Sequence, residues 1–440
     1  MTVLSIDGKS WLTKLERLSK RAASEKSMVF NNLGHLINFE MLKELLQRLN
    51  GSKAVGVDRV TKAKYMESCD ENLRSLITRI RKGTYKPKPA RFTEIPKDDG
   101  GKRPLAVSCL EDKLIQLAVS EILSRVFEPL FLPTSYGFRP GLNCHDSLRA
   151  LQKSAFKNWR GAIIEIDIKK CFNTIPHKPL MAMLREKISD ERFIKLIERL
   201  IQMPIQAGKT ITQNKVGCPQ GSILSPILSN IYLHYVIDDW LEEIRQTHLK
   251  GRVELIRYAD DMVFTFQYPK EASRFYRVLP KRLGKYGLTM HEAKSQMLMG
   301  GHIHAQNADK YGKRLPTFKF LGFTCYWGKS RKGYWRLKLS SRKDRFAAKL
   351  KGLRGFIWKR LHWDIKEIIR VVKRVLTGWL NYHAVSDNGR RVQLFIHLSK
   401  RILFKWCNRR GGRRRMNWEK FTRILKQHQY PESWKLTSMF

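Results

Sequence analysis

The sequence predicts an α+β fold, and three observations carry that expectation. Residues 162–168 (AIIEIDI) and 253–266 (VELIRYADDMVFTF) are apolar β-type runs, each bearing carboxylates where the run ends or turns. From residue 91 to about 335, strand patterns alternate with helical ones. From about 340 onward the character changes to basic helical periodicity. With 440 residues the chain can hold two or three domains with real cores, and 42% apolar content argues against disorder. The expected segments are 1–90 (an N-terminal extension leading into the next segment), 91–335 (mixed strands and helices) and 336–440 (helices with a basic tail).

The elements follow in chain order. A basic amphipathic helix is expected over 11–21, then helices over 39–49 and 71–82, separated by a Gly/Asp turn region at 53–61 (KAVGVDRVT). The KPKP stretch at 86–89 is an extended breaker. Residues 94–105 (EIPKDDGGKRPL) read as a hairpin turned by Asp99, Gly100 and Gly101. Gly137, Pro140 and Gly141 place turns in 135–146 (SYGFRPGLNCHD). The strand at 162–168 carries Asp167 near its end, and KKCFNTIPH (169–177) breaks the pattern. Ser225 and Pro226 open a helix, the serine as N-cap and the proline in its first position. Residues 253–266 read as a hairpin with Tyr258, Ala259, Asp260 and Asp261 at its tip. In the tail, helices are expected over 343–356, 365–382 and 392–407, the first capped by Ser340 or Ser341 and the second by Asp364.

Charge narrows the partners. Lys and Arg total 85 against 39 Asp and Glu, a net +46, which implies a polyanionic partner, most plausibly nucleic acid, since self-repulsion on this scale needs an offset. Residues 341–440 hold 26 Lys/Arg against 6 Asp/Glu, and six of the eleven tryptophans: 358, 363, 379, 406, 418 and 434. Basic helices with interleaved aromatics suit RNA backbone contact with base stacking, although any one tryptophan is better explained as core. The seven cysteines are scattered with no Cys-x-x-Cys, which excludes a zinc ribbon or a compact disulfide scaffold and fits a reducing cytosol; Cys171 and Cys218 read as packing residues. No run of 18 apolar residues calls for a membrane, and the N-terminus lacks a signal peptide, so a cytoplasmic, nucleic-acid-associated protein is expected.

The carboxylates suggest chemistry. Adjacent aspartates occur in many turns, but apolar flanks argue against a solvated acidic loop, and a carboxylate pair on a rigid hairpin suits divalent metal. An Asp at the end of a buried strand is costly unless a cation compensates it. Asp167 therefore reads as a strand-end cap, as a salt-bridge partner of Lys169 or Lys170, or as a second metal-binding acid. Two carboxylates from separate strands converging on two Mg²⁺ ions would form a nucleotidyl-transfer site, one ion activating a primer 3′-hydroxyl and the other holding the triphosphate.

These segments, with VGCPQGSILSPILSNIYL (216–233) between them, resemble the reverse transcriptases. Asp167 lies in a palm motif A, Tyr258 to Asp261 is similar to motif C, and the Pro-Gln-Gly of 219–221 with its extension resembles motif B of the bacterial group II intron type. Residues 94–105 resemble the fingers hairpin, 135–146 another signature of the family, and LGKYGL (283–288) with Lys294 and FKFLGF (318–323) the later palm motifs. LTGWLNYH (376–383), Arg390, Arg391 and KWCNRR (405–410) resemble the thumb and maturase region. The resemblance implies a right-hand polymerase: fingers and palm, with an antiparallel palm sheet packed on helices, and an α-helical thumb/maturase domain.

It also implies roles. Asp167, Asp260 and Asp261 would be catalytic, and with Ile168 would bind two Mg²⁺, for which Mn²⁺ is a possible substitute; Asp261 would be auxiliary. Lys97 and Arg103 would clamp the dNTP, Gln220 would bond the template–dNTP pair, and Phe172, five residues after Asp167, would exclude a ribose 2′-hydroxyl. Gly221 would let backbone approach a nucleotide. Arg139, Lys294, Arg390, Arg391, Arg409, Arg410, Arg413, Arg414 and Arg415 would contact nucleic acid. Asn173 stands where the family often has Asp, and Arg59 replaces a glycine of the family's N-terminal turn element.

Three function classes follow. The leading one is an intron-encoded reverse transcriptase and maturase, with group II intron RNA, RNA template, DNA primer, target DNA and dNTPs as partners. The second is a free-standing bacterial reverse transcriptase of the same lineage serving defence or DNA repair. The third, a splicing factor with a dead polymerase, is opposed by the intact acids. No Cys-containing His-Asn-His endonuclease cluster follows Trp434, so no intrinsic DNA cleavage is expected, and priming would use an existing 3′ end.

Overall fold

The computed structural model describes residues 11–96, 101–409 and 416–439. The strands, in chain order, are β1 (Ala90–Pro96), β2 (Lys102–Val107), β3 (Ala162–Ile166), β4 (Ile205–Ala207), β5 (Thr210–Thr212), β6 (Val253–Tyr258), β7 (Asp261–Phe266), β8 (Gln296–Met299), β9 (Phe318–Phe320), β10 (Phe323–Lys329) and β11 (Trp335–Ser341). They form sheets of order β2-β1-β4-β5, β6-β7-β3-β8 and β11-β10-β9. Mixed helices and sheets bear out the α+β expectation.

The chain divides into two compact units. One comprises Met1–Cys144, Ile166–Phe264 and Lys270–Gln296; the other comprises His145–Glu165, Thr265–Pro269 and Met297–Phe440. This division cuts across the boundary expected near 335. Polar side chains show why: Gln152 donates its amide to Leu337 O at 2.9 Å and to Asp387 Oδ2 at 2.9 Å, so the helix Cys144–Lys157 is tied to the tail.

In the first unit, the helix Leu110–Phe127 is the central element. Leu114, Ile115, Ala118, Val119, Ile122, Leu123, Val126 and Phe127 are all buried, too many for a single stripe, because other helices cover it on several sides. The helix Trp11–Ser24 packs on it through Trp11, Leu15, Leu18 and Ala22, whose spacing makes one apolar face. The helix Phe39–Arg48 packs there too, capped by Asn38, which accepts from Met41 N at 2.9 Å. Arg59 takes the left-handed conformation (φ 55°) that a glycine would adopt freely, so the turn is made despite the substitution. The hairpin of β1 and β2 is present, with Pro96 opposite Lys102 and Ile95 opposite Arg103. Its β1 is extended by an unforeseen parallel pairing with β4. Lys97, Asp99 and Gly100 lie outside the described residues.

Two expected caps are corrected. Ser225 is the first residue of the helix Ser225–Leu233, and the cap position is Leu224; the serine hydroxyl donates to Pro219 O at 2.8 Å. Ser341 stays in β11, its N–H donating to Asn388 Oδ1 at 3.0 Å and its hydroxyl accepting from Asn388 Nδ2 at 2.6 Å. The cap of Lys343–Trp358 therefore falls to Arg342. Asp364 does cap Ile365–His383, accepting from Lys366 N at 2.7 Å.

The second unit's helices Lys343–Trp358, Ile365–His383, Gly389–Cys407 and Trp418–Gln427 share one core built on Phe346, Leu376, Trp379, Phe395, Leu403 and Phe421. Trp379 stacks on Phe395 at 3.9 Å between ring centres and on His383 at 4.4 Å. Trp363, Trp406 and Trp434 pack at its margin, whereas Trp358 and Trp418 are 59% and 43% exposed. The tail's tryptophans thus divide between core and surface. Among the described residues no helix is long and apolar enough to cross a membrane, and no disulfide joins the cysteines.

Candidate active site

The hairpin of β6 and β7 turns through Ala259 and Asp260 and leaves Asp261 as the first, exposed residue of β7. Ala259 holds φ at 57°, a left-handed conformation that costs a non-glycine residue about 1–2 kcal/mol. The turn persists because its surroundings fix it. Segment 134–137 runs alongside: Arg257 N donates to Thr134 O at 2.9 Å and Tyr136 N to Arg257 O at 2.8 Å. Gly137 lies so close that a Cβ there would stand 2.3 Å from Ala259 N. This gives the start of the 135–146 segment a physical role that its sequence did not reveal: residues 134–137 back the acidic hairpin.

Arg257 is wholly buried, the bulkiest side chain in the structure to be so. Its Nε donates to Asp238 Oδ1 at 2.9 Å and its Nη2 to Asp238 Oδ2 at 2.5 Å, the bidentate fork that suits a carboxylate. Its Nη1 donates to Asn230 Oδ1 at 3.0 Å and to Ala259 O at 3.4 Å. Asn230 Nδ2 in turn donates to Gly137 O at 2.7 Å. Asp238 closes a short π-helical turn, His234–Asp238, that follows the helix Ser225–Leu233. Burial pushes the Asp238 carboxyl up most strongly, but the Arg257 charge and the hydrogen bonds of His234 and Arg257 together outweigh it, and the net direction is down. None of these three residues was singled out from sequence. The available signal was an arginine inside an apolar strand run and an acid ending an apolar helical one.

Asp167 follows β3 and is anchored through its backbone. Its N–H donates to Ser295 Oγ at 3.1 Å, and its carbonyl accepts from His291 N at 2.8 Å. Its side chain is 38% exposed and lies 3.7 Å from Lys294 Nζ, so the paired lysine is neither Lys169 nor Lys170. In the bridge between Ile168 and Met290 the hydrogen bonds run from Lys169 N to Thr289 O and from His291 N to Asp167 O, leaving Ile168's own carbonyl unspent there.

Asp260 senses Asp167. Burial pushes the Asp260 carboxyl up, the Asp167 charge adds to this, and Arg103 opposes it. A half-buried carboxylate beside another carboxylate, with a backbone carbonyl next in chain, is a donor set of the kind Mg²⁺ takes, one or two carboxylates with its remaining positions left to water and phosphate. Among the described residues no cluster of three His, Cys, Asp or Glu side chains that could hold a metal ion forms. Cys171 and Cys218 are buried beside this region, and burial pushes both thiols up, Cys218 to about 12, as packing residues require.

The other expected residues divide. Phe172 is half-buried in the short helix Cys171–Thr174, and its carbonyl accepts from Cys218 N at 2.7 Å, which ties the Asp167 segment to the Pro-Gln-Gly loop. Gln220 lines a cleft with Phe92, Ala106, Asn173 and Pro219; its Oε1 is buried with no hydrogen-bond partner. Gly221 (φ 101°) is held close to β2, where a Cβ would stand 2.9 Å from Ala106 O, so its freedom serves a protein contact. Arg103 is exposed on β2. Arg139, expected beside nucleic acid, is turned inward instead: it donates to Glu128 Oε1, Leu132 O and Ser135 O at 2.7–2.8 Å and stacks over Phe131. Its guanidinium braces segment 132–135. In the second unit Arg390 is exposed, Arg391 lies over the Phe346 ring and Arg409 over Trp406. Lys97, Arg410, Arg413, Arg414 and Arg415 lie outside the described residues.

Strand-end carboxylates with a basic hairpin bearing Arg103 are the groups that a nucleotidyl-transfer site would use. The reverse transcriptase (RNA-dependent DNA polymerase) family profile matches residues 95–325, and the chain belongs to that family. It is 27% identical to the uncharacterized 91 kDa protein in cob intron of Schizosaccharomyces pombe, over 88% of this chain and 55% of that protein. It is 34% identical to the group II intron-encoded protein LtrA of Lactococcus lactis, over 50% of this chain and 37% of that protein. It is also 34% identical to the protein YkfC of Escherichia coli, over 55% of this chain and 64% of that protein. The chain thus spans less than two thirds of the length of each of these relatives. Within the family its resemblance is to the group II intron-encoded lineage.

Proposed function

We propose that this chain is a group II intron-type reverse transcriptase and maturase, which binds its intron RNA, assists splicing and copies the RNA into DNA during retrohoming. The observation that carries the polymerase reading is that Asp167 and Asp260 flank neighbouring strands of one sheet, β3 and β7, where the Asp167 charge is felt at Asp260. Asp167, Asp260 and the Ile168 carbonyl would hold two Mg²⁺, with Asp261 auxiliary. Bound there, the ions would make a primer 3′-hydroxyl nucleophilic and neutralise charge at the phosphates. Arg103 and Lys97 would bind the triphosphate. Phe172 would occupy the space of a 2′-hydroxyl, and Gln220, with its acceptor unspent, would orient the nascent pair. Lys294 would meet primer phosphate. Arg390, Arg391, Arg409, Arg410 and Arg413 to Arg415 would supply phosphate contacts to RNA, in keeping with the net charge of +46.

The test has two arms. Primer extension with Mg²⁺ on an RNA template should be robust for the parent and absent for Asp260→Ala; equal extension by both refutes the site. The protein expressed from its native locus and washed at high salt should retain one dominant structured RNA flanking its gene. A heterogeneous, salt-eluted mixture instead would favour a free-standing reverse transcriptase serving defence or DNA repair.

A further inference from the structure

We infer that Arg257 is a positioning residue for the polymerase site, acting through Ala259 on Asp260; the inference rests on the polymerase reading. Ala259 is held from two directions. On one side its N–H abuts Gly137, whose carbonyl is fixed by Asn230. On the other its carbonyl faces the Arg257 guanidinium, whose orientation Asp238 and Asn230 fix. Asn230 belongs to both sides, so it links the segment behind the hairpin to the guanidinium in front. The enclosed residue is the one in left-handed conformation, and the next residue is Asp260.

Stability alone is a weak reason for this arrangement. Arg257 and Asp238 are both 0% exposed, and a fully buried ion pair gains little over apolar side chains of similar volume. What the pair supplies that leucine and methionine cannot is a directed set of hydrogen bonds ending at the Ala259 carbonyl. The expected consequence of losing it is a hairpin tip that moves, with Asp260 no longer held against Asp167.

The experiment uses the full chain. In R257M/D238L the ion pair is replaced by an apolar pair of similar volume; Asn230→Ala loosens the clamp while keeping the ion pair. Four quantities are read: thermal unfolding, amide exchange in the peptide 253–266, Mn²⁺ binding by electron paramagnetic resonance with template–primer bound, and single-nucleotide incorporation with kcat and KM separated. R257M/D238L should unfold near the parental temperature, exchange faster at 258–261 and bind Mn²⁺ about tenfold more weakly. Its kcat should fall on the order of 10²-fold, as an ångström-scale misplacement does, with the KM for template–primer unchanged. A folded double variant with parental exchange, Mn²⁺ binding and kcat overturns the inference. Should it fail to fold, Asn230→Ala decides by the same readouts, parental values overturning and the same directions of change supporting. Asp260→Asn separates the two levels: parental Mn²⁺ binding by that variant sinks the metal-site reading itself, while exchange at 258–261 still reports on the clamp.

Discussion

Gly137→Ala is the sharpest single-atom test of how the acidic hairpin is held. The added Cβ would sit 2.3 Å from Ala259 N and 2.9 Å from Tyr258 C, where ordinary van der Waals contact begins at 3.4 Å. About 1 Å must therefore be found, and both obstructing atoms are backbone, so no side chain can swing aside. Either segment 134–138 retreats, breaking its hydrogen bonds to Arg257, or the hairpin tip is displaced with Asp260 on it. Overpacking of this kind costs about 1–3 kcal/mol of stability. Displacement of a reacting group by about 1 Å costs on the order of 10²-fold in rate. The assay is single-turnover incorporation on a template–primer, alongside chemical unfolding and template–primer affinity. The expected result is a folded protein with nearly parental affinity, a kcat lower by about two orders of magnitude and a modest loss of stability. Parental kcat together with parental stability would refute the close approach, and with it the claim that segment 134–137 backs the acidic hairpin.

Other outcomes are equally specific. Asp167→Ala and Asp260→Ala should abolish extension while Asp261→Ala leaves a trace, and full activity in either of the first two overturns the site. Phe172→Ala should raise rNTP incorporation relative to dNTP; unchanged sugar discrimination removes its steric role. Burial raises the Asp112 carboxyl to about 6 from 3.8, so the folded state holds that proton more tightly than the unfolded one, and the stability the group contributes is full below about 4 and lost as pH rises through about 6. Asp112→Asn should therefore gain on the parent by up to a few kcal/mol between pH 4.5 and 7.5 in denaturation midpoints, and a pH-independent gap between the two would contradict this. Neutralising Arg409, Arg410, Arg413, Arg414 and Arg415 together should weaken RNA binding broadly and flatten its dependence on log salt; an unaltered slope rejects them as phosphate contacts.

What the sequence made legible was local. The hairpin at 253–266 follows from two apolar runs around a short polar turn, the helices Trp11–Ser24 and Phe39–Arg48 from apolar spacing, and the cap at Asp364 from residue type. What it hid was tertiary. Arg257 looks like an ordinary cation in a chain rich in them until Asp238, 19 residues upstream, is seen to meet it in the interior. Arg139 carried a motif-based expectation of nucleic acid contact, but nothing in its neighbours in sequence announces that Glu128 and two carbonyls will take its guanidinium. Ser225 and Ser341 have the right chemistry for caps and lose the position to other bonds, with Pro219 and Asn388. The division of the chain failed to follow the segments for a similar reason: the helix Cys144–Lys157 pairs its buried Gln152 with a strand nearly two hundred residues later.

The two acids of the site stand in different environments, and that difference bears on the cations beside them. Asp167 is partly exposed and keeps Lys294 at 3.7 Å across a pair whose members are 38% and 57% exposed, an interaction worth no more than about 1 kcal/mol. Asp260 is the more enclosed, and there Arg103, on the β1–β2 hairpin, works against the rise that burial and Asp167 impose. Lys294 and Arg103 were assigned to nucleic acid and to triphosphate from their motifs, yet in the protein alone each stands by a carboxylate. The two observations are compatible because neither cation is locked: both side chains are exposed, and a phosphate brings more charge than a carboxylate. Arg257 is the contrasting case. Its guanidinium is fully enclosed by Asp238 and Asn230, so it is fixed in place and free to act only on the backbone it touches. In a chain of 85 Lys and Arg, burial rather than charge distinguishes the cations that can change partners from the one that holds the hairpin.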